Sequence, residues 1–111
     1  MTGMDSNQSM TVTIGPDGAI VVHGDIDIAG GPDLDAAILA HEIEHPVVID
    51  LGDVLFIDSS GLRSLLSASR RALARDATVV LRTVGPEVMR LLQLTGTTDQ
   101  FTIESYRSTT G

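Results

Sequence analysis

The sequence contains neither cysteine nor lysine in its 111 residues. Without cysteine there are no disulfide bonds, thiolate metal sites or thiol catalysis, and this composition suits a reducing compartment. No apolar run approaches the roughly 20 residues that a membrane helix needs, and residues 1–10 lack the basic start and apolar middle of a signal peptide. We therefore expect a soluble, cytoplasmic protein with no membrane contact.

Positive charge is scarce as well. Seven basic residues, all of them arginine, stand against 15 acidic residues, and the formal net charge is −8. Nucleic acids attract proteins that carry a basic face, whereas here only Arg70 and Arg71 are adjacent, which is typical of a solvated helix face. We therefore expect no nucleic-acid partner, and the acidity suits binding to a basic protein surface.

The length predicts one domain with a single hydrophobic core. Strand patterns and helix patterns alternate after an opening hairpin, in the order β-β-α-β-α-β-α-β. This order predicts an α/β fold in which a mixed sheet of about five strands packs against helices. We place the domain at residues 11–105, between a flexible N-terminal tail (1–10) and a C-terminal tail (106–111). The predicted strands are 11–14, 19–23, 47–51, 78–81 and 101–103, and the predicted helices are 32–44, 60–75 and 86–94.

Two serines and an aspartate lie where a hydrophobic strand region gives way to a helix, in residues 57–62, I-D-S-S-G-L. The first N–H groups of a helix have no partner within it and carry the positive end of the helix dipole. A phosphoserine would be stabilised there. The same residues are also ordinary helix caps, each worth about 1 kcal/mol, so the hexapeptide alone leaves both interpretations open.

A second short pattern, H-E-x-x-H, runs from His41 to His45 and is typical of zinc metalloproteases. Pro46 pushes His45 away from helical geometry, and the remaining histidine, His23, lies in a predicted strand, so no third ligand is evident. Nucleophilic catalysis has no better support, because the serines lack a G-x-S-x-G elbow and a neighbouring histidine. We therefore predict no catalytic residue, no metal and no cofactor.

Three segments, in order along the chain, resemble the STAS domain, the fold of bacterial anti-sigma factor antagonists. They are Gly24-Asp25-Ile26-Asp27 after an early strand, Val48-Ile49-Asp50-Leu51-Gly52-Asp53 leading into Phe56-Ile57-Asp58-Ser59-Ser60-Gly61-Leu62, and Pro86-Glu87-Val88-Met89-Arg90-Leu91-Leu92-Gln93-Leu94-Thr95-Gly96. The resemblance extends from about residue 11 to residue 105. It implies a single STAS-type domain with the strand and helix order given above.

The resemblance also implies a function. An unphosphorylated antagonist of this family binds an anti-sigma factor that is itself an ATP-dependent serine kinase, and so releases a sigma factor. Phosphorylation of the serine after the motif aspartate breaks the complex, and a phosphatase reverses the modification. Carried onto this chain, the phosphorylated residue is Ser59, with Ser60 as second choice. The implied partner-binding residues are Asp27, Asp58, Ser59, Ser60, Gly61 and Arg63.

Two members of this set have specific expected roles. Gly61 is expected to permit close approach of a partner backbone, or merely to ease packing at the helix start. Arg63 places a cation near a helix N-terminus, where it is unfavourable unless it meets a partner anion or the phosphate itself. Because that terminus favours a phosphate, we expect phosphorylation to change the interface more than the stability of the domain.

An alternative function uses the same fold without a switch. A STAS adaptor, such as the small subunit of a lipid-transport ATPase complex, grips its partner with no serine phosphorylation. Retention of Asp58-Ser59-Ser60 favours the switch over the adaptor. The sequence does not name the sigma factor, the kinase or the phosphatase, and it leaves the oligomeric state open, a homodimer included.

Overall fold

A computed structural model describes residues 10–27, 31–41 and 47–104. Within these residues the elements follow the predicted order, with one 3-10 turn, Thr98–Gln100, added before the last strand. The elements are β1 (Thr11–Ile14), β2 (Ile20–His23), α1 (Gly31–His41), β3 (Val47–Asp53), α2 (Ser59–Leu73), β4 (Val79–Arg82), α3 (Pro86–Leu94) and β5 (Thr102–Ile103). The predicted α/β class is confirmed.

The strands form one mixed sheet in the order β1-β2-β3-β4-β5. β1 is antiparallel to β2, and the remaining neighbours are parallel. The opening hairpin closes with a bond from the Gly15 N–H to the Ala19 carbonyl, and Gly18 adopts a positive φ of 86° in the turn. Because each later strand is parallel to the one before it, a helix connects each pair. The five-strand mixed sheet is confirmed.

The core lies between the sheet and the three helices. Alternate side chains of β2, β3 and β4 are buried and their neighbours are half-buried, so one face of the sheet packs against the helices. The fully buried side chains include Ile20, Val22, Ile49, Leu51 and Leu81 from the sheet and Leu34, Ile38, Leu65 and Leu92 from the helices. Burial of each such side chain contributes about 1.5–3 kcal/mol.

The two helices that follow β3, α2 and α3, have the same hydrogen-bond pattern at their C-terminal ends. After α3, the Thr97 N–H donates to the Leu92 carbonyl and the Gly96 N–H to the Gln93 carbonyl, with Gly96 at φ 69°. This is the Schellman motif, and Gly96 closes α3 as the sequence predicts. After α2, an equivalent pair of bonds places Asp76 at φ 58°, where glycine is the usual residue.

Two element ends differ from the predicted boundaries by two residues: α2 ends at Leu73, earlier than predicted, and β3 ends later than predicted. β3 continues to Asp53, two residues beyond the predicted end, because β2 still pairs with it across a bulge between Val21 and His23. There the His23 Nδ1 lies 2.7 Å from the Asp53 Oδ2.

Several predictions fall on residues outside the described ranges. They concern residues 1–9 and 106–111 of the two tails, the end of the first helix and most of the H-E-x-x-H pattern, of which only His41 is described. Met10, predicted as the last residue of the N-terminal tail, is buried in the core. Among the described residues, no group of three or more histidine or acidic side chains is arranged to hold a metal ion. The same part of the chain contains no helix that is long and apolar enough to cross a membrane.

Candidate phosphorylation and partner-binding site

The predicted site lies on the loop 54–58 and the first turns of α2, beyond the C-terminal end of the central strand β3. Ile26 and Ile57 form a parallel bridge. The Ile26 N–H donates to the Phe56 carbonyl and the Asp58 N–H to the Ile26 carbonyl, both at 3.0 Å. These bonds fix the loop on both sides of Ile57. They also bring Asp27 and Asp58, which follow the bridged residues, to neighbouring positions on adjacent segments.

Asp58 is the N-cap of α2. Its Oδ1 accepts hydrogen bonds from the Ser60 N–H at 2.9 Å and the Gly61 N–H at 3.1 Å. The Asp58 carbonyl then accepts the first helical bond, from the Leu62 N–H. Such a cap stabilises a helix by about 1 kcal/mol. The Asp58 side chain therefore caps the helix, and the cap does not use the Ser59 hydroxyl.

Ser59 is the first residue of α2 and is exposed, whereas Ser60 is half-buried. The start of α1 lies close to Ser60: a side-chain carbon placed on Gly31 would sit 4.0 Å from the Ser60 carbonyl oxygen. The buried Ser64 hydroxyl lies between the same two helices, 3.5 Å from the Gly31 carbonyl. Because a kinase needs a hydroxyl that it can reach, the geometry favours Ser59 over Ser60.

Gly61 is buried inside the protein. A Cβ added to it would lie 2.5 Å from the Ile26 Cγ2 and 2.7 Å from the Ile57 Cγ1. Real Cβ atoms do not approach carbon this closely, so only glycine fits at this position. Of the two roles expected of Gly61, the structure supports packing at the helix start and not the approach of a partner backbone, because the close contact is with Ile26 and Ile57 of the same chain.

The two other charged residues of the predicted set are exposed. Asp27 lies at the end of its segment, where its carbonyl accepts the Gly31 N–H at 3.1 Å. Arg63 follows Ser59 by four residues in α2, a spacing that puts the two side chains on one face of the helix. Arg63 is therefore placed to meet a phosphate on Ser59.

Comparisons with known proteins show the family of this chain. A family model described as "Mlab, STAS domain" matches residues 10–103. The chain belongs to the STAS domain family. A relative of this STAS domain, the anti-sigma-B factor antagonist of Listeria monocytogenes serovar 1/2a, is 30% identical over 88 residues, which make up 78% of this chain and 77% of that protein.

Solved structures of other proteins have the same fold. The crystal structure of an anti-sigma factor antagonist from Mycobacterium paratuberculosis is 31% identical, with a TM-score of 0.72, over 96% of this chain and 92% of that one. The anti-sigma factor antagonist SpoIIAA in its unphosphorylated form has a TM-score of 0.67 at 17% identity, over 91% and 90% of the two chains. The resemblance identified from the sequence is confirmed for both family and fold.

An apolar surface lies beside the site of this STAS domain and was not predicted from the sequence. Leu55 is 68% exposed and Phe56 is 53% exposed, although both belong to the loop that leads to Ser59. Leu94, the last residue of α3, is 74% exposed. Phe56 and Leu94 stand in the segments that carry the family resemblance, but periodicity gives no signal that either side chain faces solvent.

Proposed function

We propose that the protein is an anti-sigma factor antagonist controlled by phosphorylation of Ser59. Unphosphorylated, it binds an anti-sigma factor that is also an ATP-dependent serine kinase, and thereby releases a sigma factor in the cytoplasm. The names of its relatives support the antagonist function. The observation that carries the proposed switch is the exposed Ser59 at the first position of α2, next to the cap Asp58.

Charge alone is sufficient for such a switch. A phosphate adds a charge of about −1.5 to −2 at neutral pH. Two like unit charges about 4 Å apart repel by about 4 kcal/mol at an effective dielectric constant near 20, and a tenfold loss of affinity needs only about 1.4 kcal/mol. Even after a discount for solvent, a phosphate facing an acidic group of the partner weakens binding at least tenfold.

The modification is tested with purified anti-sigma factor kinases of the source organism, ATP and peptide mass spectrometry. We expect phosphate on Ser59 in the wild-type protein and in Ser60→Ala, the matched control, and none in Ser59→Ala. A kinase that binds the wild-type protein but leaves Ser59 unmodified would contradict the switch and favour the non-phosphorylated adaptor function.

The consequence for binding is tested by isothermal titration calorimetry. Ser59→Ala should bind the anti-sigma factor as the wild-type protein does and keep binding after incubation with ATP. Ser59→Asp should bind at least tenfold more weakly. A serine/threonine phosphatase should restore binding of the phosphorylated wild-type protein, and equal affinity of the phosphorylated and unphosphorylated forms would refute the proposal.

The Asp58 side chain both caps α2 and carries a negative charge. Two variants separate these two roles. Asn caps helices about as well as Asp, so Asp58→Asn removes the charge and keeps the hydrogen bonds to Ser60 and Gly61. Asp58→Ala removes both and should destabilise the protein by about 1 kcal/mol. If the charge beside Ser59 matters for recognition, Asp58→Asn should slow phosphorylation while the urea midpoint stays near that of the wild-type protein.

A further inference from the structure

A groove lies between the loop 54–58 and α3. Its volume is about 200 Å³, and it is lined by Phe56, Ile57, Glu87, Arg90, Leu91 and Leu94. Four of these six residues are apolar. Large apolar side chains that remain exposed next to a groove mark a surface where another molecule binds.

The size of the groove indicates what fits. Pockets for small molecules and cofactors are commonly about 300–1,000 Å³, so a groove of about 200 Å³ is small for them. It suits one or two apolar side chains of a protein. Such a contact is the usual anchor of a protein interface, where an aromatic or aliphatic side chain fills a pocket bordered by charged groups.

The groove and Ser59 belong to one continuous surface. Phe56 lines the groove and is 53% exposed, and the exposed Ser59 follows it by three residues, which span at most about 11 Å of chain. Asp58 and Ser59 follow Ile57 directly in the chain. A protein that contacts the Ser59 hydroxyl closely enough to phosphorylate it therefore also lies over this groove.

We propose that the anti-sigma factor inserts an apolar side chain into this groove. The inference rests on the proposed function and deepens it: the groove supplies binding energy, and the charge state of Ser59 decides whether the complex persists. The two charged residues of the groove, Glu87 and Arg90, have opposite signs, so its apolar side chains and not a net charge select the occupant.

Two variants test the groove, and a third is a matched control. Phe56→Ser and Leu94→Ser remove exposed apolar side chains from it. Leu73→Ser removes a leucine that is 57% exposed and is the last residue of α2, as Leu94 is the last residue of α3, but does not line the groove. Because all three side chains are exposed, we expect the variants to fold, which circular dichroism and thermal melting verify.

Each anti-sigma factor of the source organism is titrated against the wild-type protein without ATP, and the one that binds is the probe. We expect Phe56→Ser and Leu94→Ser to raise Kd at least tenfold, and Leu73→Ser to change it less than twofold. Wild-type affinity in both groove variants would overturn the inference, while a weak Ser59→Asp complex would still support the proposed function.

The remaining outcomes are distinguishable from these. If no anti-sigma factor binds the wild-type protein, the proposed function fails and the inference fails with it. Sedimentation of the protein alone measures its oligomeric state and so tests whether a second copy of the chain occupies the groove. A wild-type dimer that Phe56→Ser and Leu94→Ser dissociate, with no change in affinity for the anti-sigma factor, would assign the groove to self-association and overturn the inference.

Discussion

Replacing Gly61 by alanine tests how tightly the first turn of α2 packs on the bridge that fixes the loop. The added Cβ would lie 2.5 Å from the Ile26 Cγ2, 2.7 Å from the Ile57 Cγ1 and 3.0 Å from the Ile26 Cβ. Rotating a side chain cannot relieve the third contact, because a Cβ is fixed to its backbone. Ile26 is fully buried and Ile57 nearly so, so neither side chain has free space to move into.

Whether Gly61→Ala raises or lowers the free energy of unfolding shows which is larger, the gain in helix propensity or the cost of overpacking. Alanine is favoured over glycine in a helix by about 1 kcal/mol, so Gly61→Ala at an open position would stabilise the protein. Overpacking a dense core costs about 1–3 kcal/mol, and contacts this short lie at the upper end of that range. Overpacking less the gain in helix propensity leaves a net loss of about 2 kcal/mol in the free energy of unfolding for Gly61→Ala, equivalent to a fall of about 10 °C in Tm.

Urea denaturation followed by circular dichroism measures the change. A double-mutant cycle with Ile26→Ala identifies its cause, because removal of the Ile26 Cγ2 opens the space that the new Cβ needs. Gly61→Ala should cost less in the Ile26→Ala background than in the wild-type protein. A Gly61→Ala protein as stable as the wild type, or more stable, would show that the first turn of α2 can move away from the bridge and would refute this reasoning.

Three further predictions concern other sites. Asp76→Gly should stabilise the protein by about 1 kcal/mol in urea denaturation, because it relieves a left-handed residue at the end of α2, whereas Asp76→Ala should not. The hydrogen bond from Arg82 lowers the pKa of Asp17 below its ordinary 3.8, so Asp17→Asn should be less stable than wild type at neutral pH. That difference should vanish as the pH falls through the lowered pKa, and a constant difference across acid denaturation would contradict it. In ³¹P NMR titrations, Arg63→Gln should raise the second pKa of a phosphate on Ser59, and an unchanged pKa would show that the two side chains do not meet.

Local sequence patterns predicted the elements because the three helices and the strands β2, β3 and β4 each bury one face. The apolar run of β2 and the capping aspartate at the start of α2 depend on residues close together in the chain, so the sequence reveals them without knowledge of the fold. The position of Ser59 followed in the same way, since a polar motif before an apolar helical pattern marks a helix start.

Contacts between segments that are far apart in the chain could not be predicted from the sequence. Nothing near Gly61 in the sequence identifies Ile26 as the residue that fills the space beside it, and the extension of β3 depends on pairing with His23. The groove likewise requires Phe56 and Leu94 to meet, although they are far apart in the chain. The sequence patterns therefore located the serine and missed the surface around it.

The way the loop 54–58 is held indicates how a phosphate on Ser59 acts. Moving the loop would break two backbone hydrogen bonds with Ile26 and expose Ile57, at a combined cost of about 2.5–6 kcal/mol. In the free protein both groups face water, so the repulsion between a phosphate on Ser59 and the Asp58 carboxylate at about 4 Å is only about 1–2 kcal/mol, less than in an interface that excludes water, and Arg63 offsets part of it. The repulsion is too weak to displace the loop. We therefore expect the phosphate to act on a partner through its charge, with the loop and the groove beside it in unchanged positions.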